Sequence, residues 1–111
     1  MNAKDPAQTQ LDAYNARDIE AFLAPYHPEV VLARLPGDEP FARGHDEMRA
    51  IYGRKFEETP ELHCELVNRI RHDRFVVDHE HVTGVPGSDR IDAVAIYEIV
   101  DDLIVRAWFL K

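Results

Sequence analysis

The sequence predicts an α+β domain in which an antiparallel sheet curls over helices that come first in the chain. Two observations carry this. Before Pro60, apolar residues recur mainly at helical spacing, in three segments. From Leu62 onward the apolar period falls to two, and turn residues divide the remainder into four strand-like stretches.

Asp5-Pro6 opens the first helix, since Asp can cap and Pro fits the first turn. Ala7, Gln10, Leu11 and Tyr14 share one of its faces. Asp18 opens a short second helix with Ile19, Phe22, Leu23 and Tyr26 inward, and Pro25 and Pro28 end it. Val30 to Leu35 reads as a strand, and Pro36 to Pro40 as a loop. Gly44-His45 precedes a third helix. Asp46 and Glu47 favour the dipole of its first turn, and Met48, Ile51, Tyr52 and Phe56 form its apolar stripe. Leu62, Cys64, Leu66 and Ile70 then define the apolar face of a strand, with Asn68 the odd polar residue on it. A turn at His72-Asp73 leads to the strand Arg74–Gly84. After Pro86-Gly87-Ser88 come strands Ile91–Val100 and Leu103–Leu110, joined at Asp101-Asp102.

At 111 residues with no long linker or repeat, residues 1–111 are expected to form a single domain. The net charge of −8 and the absence of a basic stripe argue against nucleic-acid binding. Cys64, the only cysteine, excludes an intrachain disulfide. The N-terminal residues lack an apolar signal core, and no apolar run reaches membrane-spanning length. A cytoplasmic protein with no membrane association is expected. There is no glycine-rich phosphate loop, nucleophile elbow or HExxH, and no cofactor is expected.

The chemistry concentrates in Asp78-His79-Glu80-His81, four ionisable side chains in a row inside a strand. Because strand side chains alternate, either Asp78 with Glu80 or His79 with His81 faces the interior. An inward polar pair is costly unless it is bonded or lines a wet pocket. Turn parity decides between them. An even connection at His72-Asp73 aligns His79 and His81 with the Ile70 face, and an odd, bulged one aligns Asp78 and Glu80. Val76 and Val82 bracket the carboxylates symmetrically, which favours them. Asp78 and Glu80 are therefore the candidate bases, since paired inward carboxylates push one pKa upward. Tyr14 and Asn68 are candidate polarising donors, Asn68 toward a ligand or Glu80, and Arg34 either pairs with a ligand carboxylate or Glu80 or snorkels to solvent. His79 and His81 with His63 are not read as a metal site, because His63 lies on the polar side of its strand and the pattern places no third ligand on their face.

Several fragments together resemble the nuclear transport factor 2 superfamily. They are Tyr14-Asn15-Ala16-Arg17-Asp18-Ile19-Glu20-Ala21-Phe22, His27-Pro28-Glu29-Val30-Val31, Phe41-Ala42-Arg43-Gly44-His45 and Ala107-Trp108-Phe109. Within that superfamily the likeness is to SnoaL-like polyketide cyclases and ketosteroid isomerases. The resemblance implies a cone-shaped α+β barrel with a pocket at one end and a homodimer through the outer sheet face. It also implies that Tyr97 and Phe109 line the pocket. The isomerases' catalytic Tyr, base Asp and later Asp fall on Gln10, Arg34 and about Ala95. The His-Asp dyad of the related dehydratases and dehydrochlorinases falls on Cys64 or His63 and on Asn15. None of the three isomerase residues is retained, and the dyad is not intact, because Asn15 cannot act as the charged partner of an imidazolium. The expectation is a domain that binds a small hydrophobic ligand through Tyr14, Asn15, Arg34, Asn68, His79, Tyr97 and Phe109. If it is an enzyme, the chemistry is cofactor-free proton transfer: isomerisation, cyclisation or dehydration. The alternative is a non-catalytic ligand-binding or dimerisation domain.

Overall fold

The computed structural model describes residues 5–111. Helix α1 (Pro6–Ala16) starts at Pro6, as the sequence predicts. Asp5, however, makes no side-chain cap; it pairs with Arg71 at 2.7 Å instead. Arg17 takes a left-handed conformation and closes α1. Asp18 then caps α2 (Ile19–Leu23), accepting from the Ala21 N–H. Helix α3 (Gly44–Glu58) buries Met48, Tyr52 and Phe56, whereas Ile51, at the edge of the stripe, is 41% exposed.

The strands are β1 (Tyr26–Arg34), β2 (Glu39–Arg43), β3 (His63–His72), β4 (Phe75–Thr83), β5 (Ile91–Val100) and β6 (Leu103–Leu110). They form one sheet in the order β2-β1-β6-β5-β4-β3. All neighbours are antiparallel except β1 and β6. The three helices pack on one face of this curved sheet, around a core of Phe22, Leu23, Leu32, Met48, Leu62 and Ile104. Asp101 and Asp102 both adopt positive φ, the signature of the tight hairpin that joins β5 to β6. Gly84 ends β4 at φ +83, where a Cβ would strike the Glu61 carbonyl. Among the described residues, no helix is long and apolar enough to cross a membrane.

Two elements differ from the sequence reading. β1 begins at Tyr26 and runs through Pro28, which a register shift between Tyr26 and Val31 accommodates. Strand β2 starts inside the Pro36–Pro40 stretch expected as a loop: Pro40 pairs with Ala33 at the sheet edge, where a missing N–H costs no ladder bond.

The hairpin between β3 and β4 answers the parity question. Ile70 pairs with Val77 and His72 with Phe75, so the connection is even and His79 does share the Ile70 face. That face, however, points outward: Ile70 is 55% exposed. A bulge at Val67 lies between the Leu66–Glu80 and Asn68–His79 pairs and inverts the alternation of β3. Cys64, Leu66 and Arg69 therefore point inward with Val82, Glu80 and Asp78.

Candidate active site

The concave side of the sheet and the helices enclose a cavity of about 420 Å³. Its walls are mostly apolar or aromatic: Leu11, Phe22, Phe41, Val82, Ala93 and Phe109, with Tyr14, Tyr26, Tyr52 and Tyr97. Residue size on β5 creates the space. Ala93 and Ala95 stand directly opposite Glu80 and Asp78, and their methyl groups leave room for carboxylates.

Glu80 is the carboxylate in the cavity wall, and it is 8% exposed. Burial, and then the Asp78 charge beside it, push its pKa up to about 7, against the opposing influence of the Cys64 thiol and Arg69. A carboxyl held there exchanges a proton readily near neutral pH. The Cys64 thiol next to it is itself pushed up by burial and by Glu80, which keeps it protonated.

Tyr14 and Tyr52 also line the cavity. Unlike those of Tyr26 and Tyr97, their hydroxyls take part in no side-chain hydrogen bond among the described residues. Both titrate well above the ordinary tyrosine value, chiefly through burial, so both remain donors. The other two tyrosines are tied to Gln10. Tyr26 donates to Gln10 Oε1 at 3.1 Å, and Gln10 Nε2 donates to the Tyr97 hydroxyl at 3.1 Å and to the Ala7 carbonyl at 3.0 Å. Arg34, Lys55 and Lys111 supply positive charge to the cavity lining. Arg34 stacks over Phe41 at 4.3 Å, and Lys55 lies 6.0 Å and 5.8 Å from the Tyr14 and Tyr52 ring centres.

Of the residues expected from the sequence, Glu80, Tyr14, Arg34, Tyr97 and Phe109 thus meet around one cavity. Four others stand elsewhere. Asp78 is fully buried, but Arg69 holds both its oxygens, at 2.7 Å and 2.9 Å, and it is absent from the cavity wall. Asn15 uses its side chain to clamp α1 onto β3, donating to the Cys64 carbonyl at 3.0 Å and accepting from the Cys64 N–H at 2.8 Å. Asn68 is exposed on the outer face, because the Val67 bulge turns it away. His79 lies on the same outer face, bonded to Asp92. Sequence reasoning assigned Tyr52 only to the core and overlooked Lys55. Their positions, on and beside the α3 stripe, are the signal that could have found them.

The family comparison agrees with this architecture. The model of the SnoaL-like domain matches residues 7–107, and the chain belongs to that family. No curated protein matches it. Among solved structures, an uncharacterized cystatin fold protein from Novosphingobium aromaticivorans superposes with a TM-score of 0.86 at 24% identity, covering 96% of this chain and 95% of that one. A "putative polyketide cyclase" from Sinorhizobium meliloti gives a TM-score of 0.78 at 19% identity, covering 96% and 94%. A "putative ketosteroid isomerase" from Kribbella flavida gives 0.76 at 22%, covering 95% and 73%. These likenesses establish the NTF2-like cone fold.

Proposed function

We propose that the chain binds a small hydrophobic, carbonyl-bearing molecule in the cone and that Glu80 moves a proton to and from it. The observation that carries this reading is a buried carboxylate, with a pKa pushed up to about 7, opening on an apolar cavity. The ionised form abstracts a proton from carbon next to the carbonyl and returns it at a second position, or assists loss of a leaving group. Tyr14 and Tyr52 donate to the carbonyl oxygen as negative charge develops there, in a site with little water to compete. The reaction class is cofactor-free isomerisation, cyclisation or dehydration. The similarity to proteins described as a cyclase and as an isomerase supports the class but not a substrate.

The test uses a panel of cyclic enones and β-dicarbonyl compounds in D2O, with α-proton exchange followed by NMR. Wild type should accelerate exchange in at least one compound. Glu80→Gln should slow it by about 100-fold or more while ligand affinity changes little. Equal exchange rates in wild type and variant would remove Glu80 from the mechanism.

One observation favours the second reading, a non-catalytic binding domain. Gln10 stands where the isomerase tyrosine is expected, and both its amide groups are engaged within the protein. Ligand binding without exchange in either protein would establish that reading. We further propose a cytoplasmic homodimer through the outer sheet face, supported by the outward side chains Ile70, Val77, Ile96 and Trp108. Light scattering that gives a monomer mass at high concentration would refute the dimer.

A further inference from the structure

The outer sheet face carries a second ionisable cluster that the cavity does not use. His79 and His81 project from β4 two residues apart, so they share that face. Asp92 stands on β5 directly opposite His81. Its Oδ1 lies 2.6 Å from His79 Nε2 and 3.2 Å from His81 Nε2. The ligand-capable atoms of the three side chains all fall within 4.8 Å of one another. On the other flank, Glu65 of β3 pairs with His81 and brings Oε1 to 3.7 Å from Nδ1.

We propose that His79, His81 and Asp92 form a binding site for a divalent transition-metal ion of the zinc type. Two imidazoles and one carboxylate suit Zn²⁺, Co²⁺, Ni²⁺ or Cu²⁺, not the all-oxygen preference of Mg²⁺ or Ca²⁺. Ligand atoms around a tetrahedral ion with bonds of about 2.0–2.1 Å stand about 3.3 Å apart. The His81–Asp92 separation is close to that, whereas the His79–Asp92 separation is a hydrogen bond's length, so those two side chains must rotate apart to admit the ion. The ligands also come from two hydrogen-bonded strands in fixed register, which limits the ordering required on binding. Each imidazole offers the Nε2 lone pair when its proton sits on Nδ1. Glu65 Oε1, at 3.7 Å from His81 Nδ1, is not hydrogen-bonded to it, but a small rotation brings it to accept from Nδ1–H, which would orient that ring and raise its basicity. Three protein ligands leave one coordination position for water or a further donor. The net charge of −8 concentrates cations near the surface.

The cross-strand register supplies what alternation along one strand does not show. His63 lies apart from the cluster, and the third ligand comes from the following strand.

The site is tested by titrating Zn²⁺ into the full chain by calorimetry, and Co²⁺ with visible absorption as a report on coordination geometry. Wild type should take one ion per chain, with the ring resonances of His79 and His81 shifting in NMR spectra. His79→Gln and His81→Gln should each weaken binding on the order of 100-fold, and Glu65→Gln about tenfold. Glu80→Gln, inside the cavity, should leave Zn²⁺ affinity unchanged, which separates this site from the proposed catalytic one. All four variants are checked for folding by circular dichroism. Zn²⁺ affinity insensitive to both histidine substitutions, or wild-type shifts confined to His27, His45, His63 or His72, would overturn the proposal.

Discussion

Replacing Glu80 with Gln should change how stability depends on pH, in a direction opposite to that of most carboxylates. The folded-state pKa is pushed up to about 7 from an ordinary value of 4.5. Between those values the folded protein holds a proton that the unfolded chain has released. Stability contributed by this group is therefore complete at low pH and falls as pH rises through the window. At about 1.4 kcal/mol for each pH unit, the interval amounts to about 3 kcal/mol lost by pH 8.5. Gln at the same position keeps the shape and carries no charge, so it escapes that loss. Urea unfolding at pH 5 and 8.5, followed through the single tryptophan Trp108, measures the difference, because other titrations largely cancel between the two proteins. Relative to wild type, the variant should gain about 3 kcal/mol between the two pH values. At an m-value of about 2 kcal/mol/M, that is a relative midpoint shift of roughly 1.5 M. Parallel pH dependences, agreeing within about 0.5 kcal/mol, would refute the burial argument for Glu80.

Asp78→Asn should destabilise the protein by about 3–5 kcal/mol, because it leaves the buried Arg69 guanidinium without its charged partner. It should also lower the Glu80 pKa, since it removes a repelling charge and frees Arg69 to attract; carboxyl NMR titration checks the sign, and an upward move would contradict it. Asn15→Ala breaks the paired bonds to the Cys64 backbone and should cost about 1–3 kcal/mol, with faster hydrogen exchange at the Cys64 amide. Tyr14→Phe and Tyr52→Phe remove hydroxyls that take part in no side-chain hydrogen bond among the described residues, so chemical melts should agree with wild type within about 0.5 kcal/mol. Affinity for a carbonyl ligand should drop about five- to tenfold in the same variants by calorimetry.

Much of the architecture was legible because it rests on local rules. Pro6 and Asp18 mark helix starts, and the change of apolar period near Pro60 separates the helical half from the sheet. The sequence resemblance supplied the cone. β2 was hidden because Pro36 to Pro40 carries strong turn chemistry, and only Phe41 to Arg43 remains to signal a strand. Edge position tolerates Pro40, but edge position is a property of the assembled sheet. Asn15 illustrates a different limit. The resemblance puts it at a catalytic position, yet an amide that bonds both groups of one residue's backbone clamps two elements together, and the sequence does not distinguish the two uses.

The orientation of Asp78-His79-Glu80-His81 turned on a residue outside the run. An even hairpin alone would direct His79 inward if Ile70 faced the core, and the alternation of Leu62, Cys64, Leu66 and Ile70 suggests that it does. The bulge at Val67 breaks that alternation, so an even hairpin and inward carboxylates are compatible. Arg69 gives the energetic reason for this arrangement. With the bulge, its guanidinium reaches both oxygens of Asp78 and, at 2.9 Å, Gln8 of α1. Without the bulge, Arg69 would point to solvent and leave Asp78 buried as an uncompensated charge, at a cost of several kcal/mol. One carboxylate is neutralised by a bidentate partner while its neighbour two residues on has no cation bonded to it. That asymmetry separates their roles: Asp78 secures the strand and repels charge from Glu80, and Glu80 is left in the cavity with a proton it can give or take.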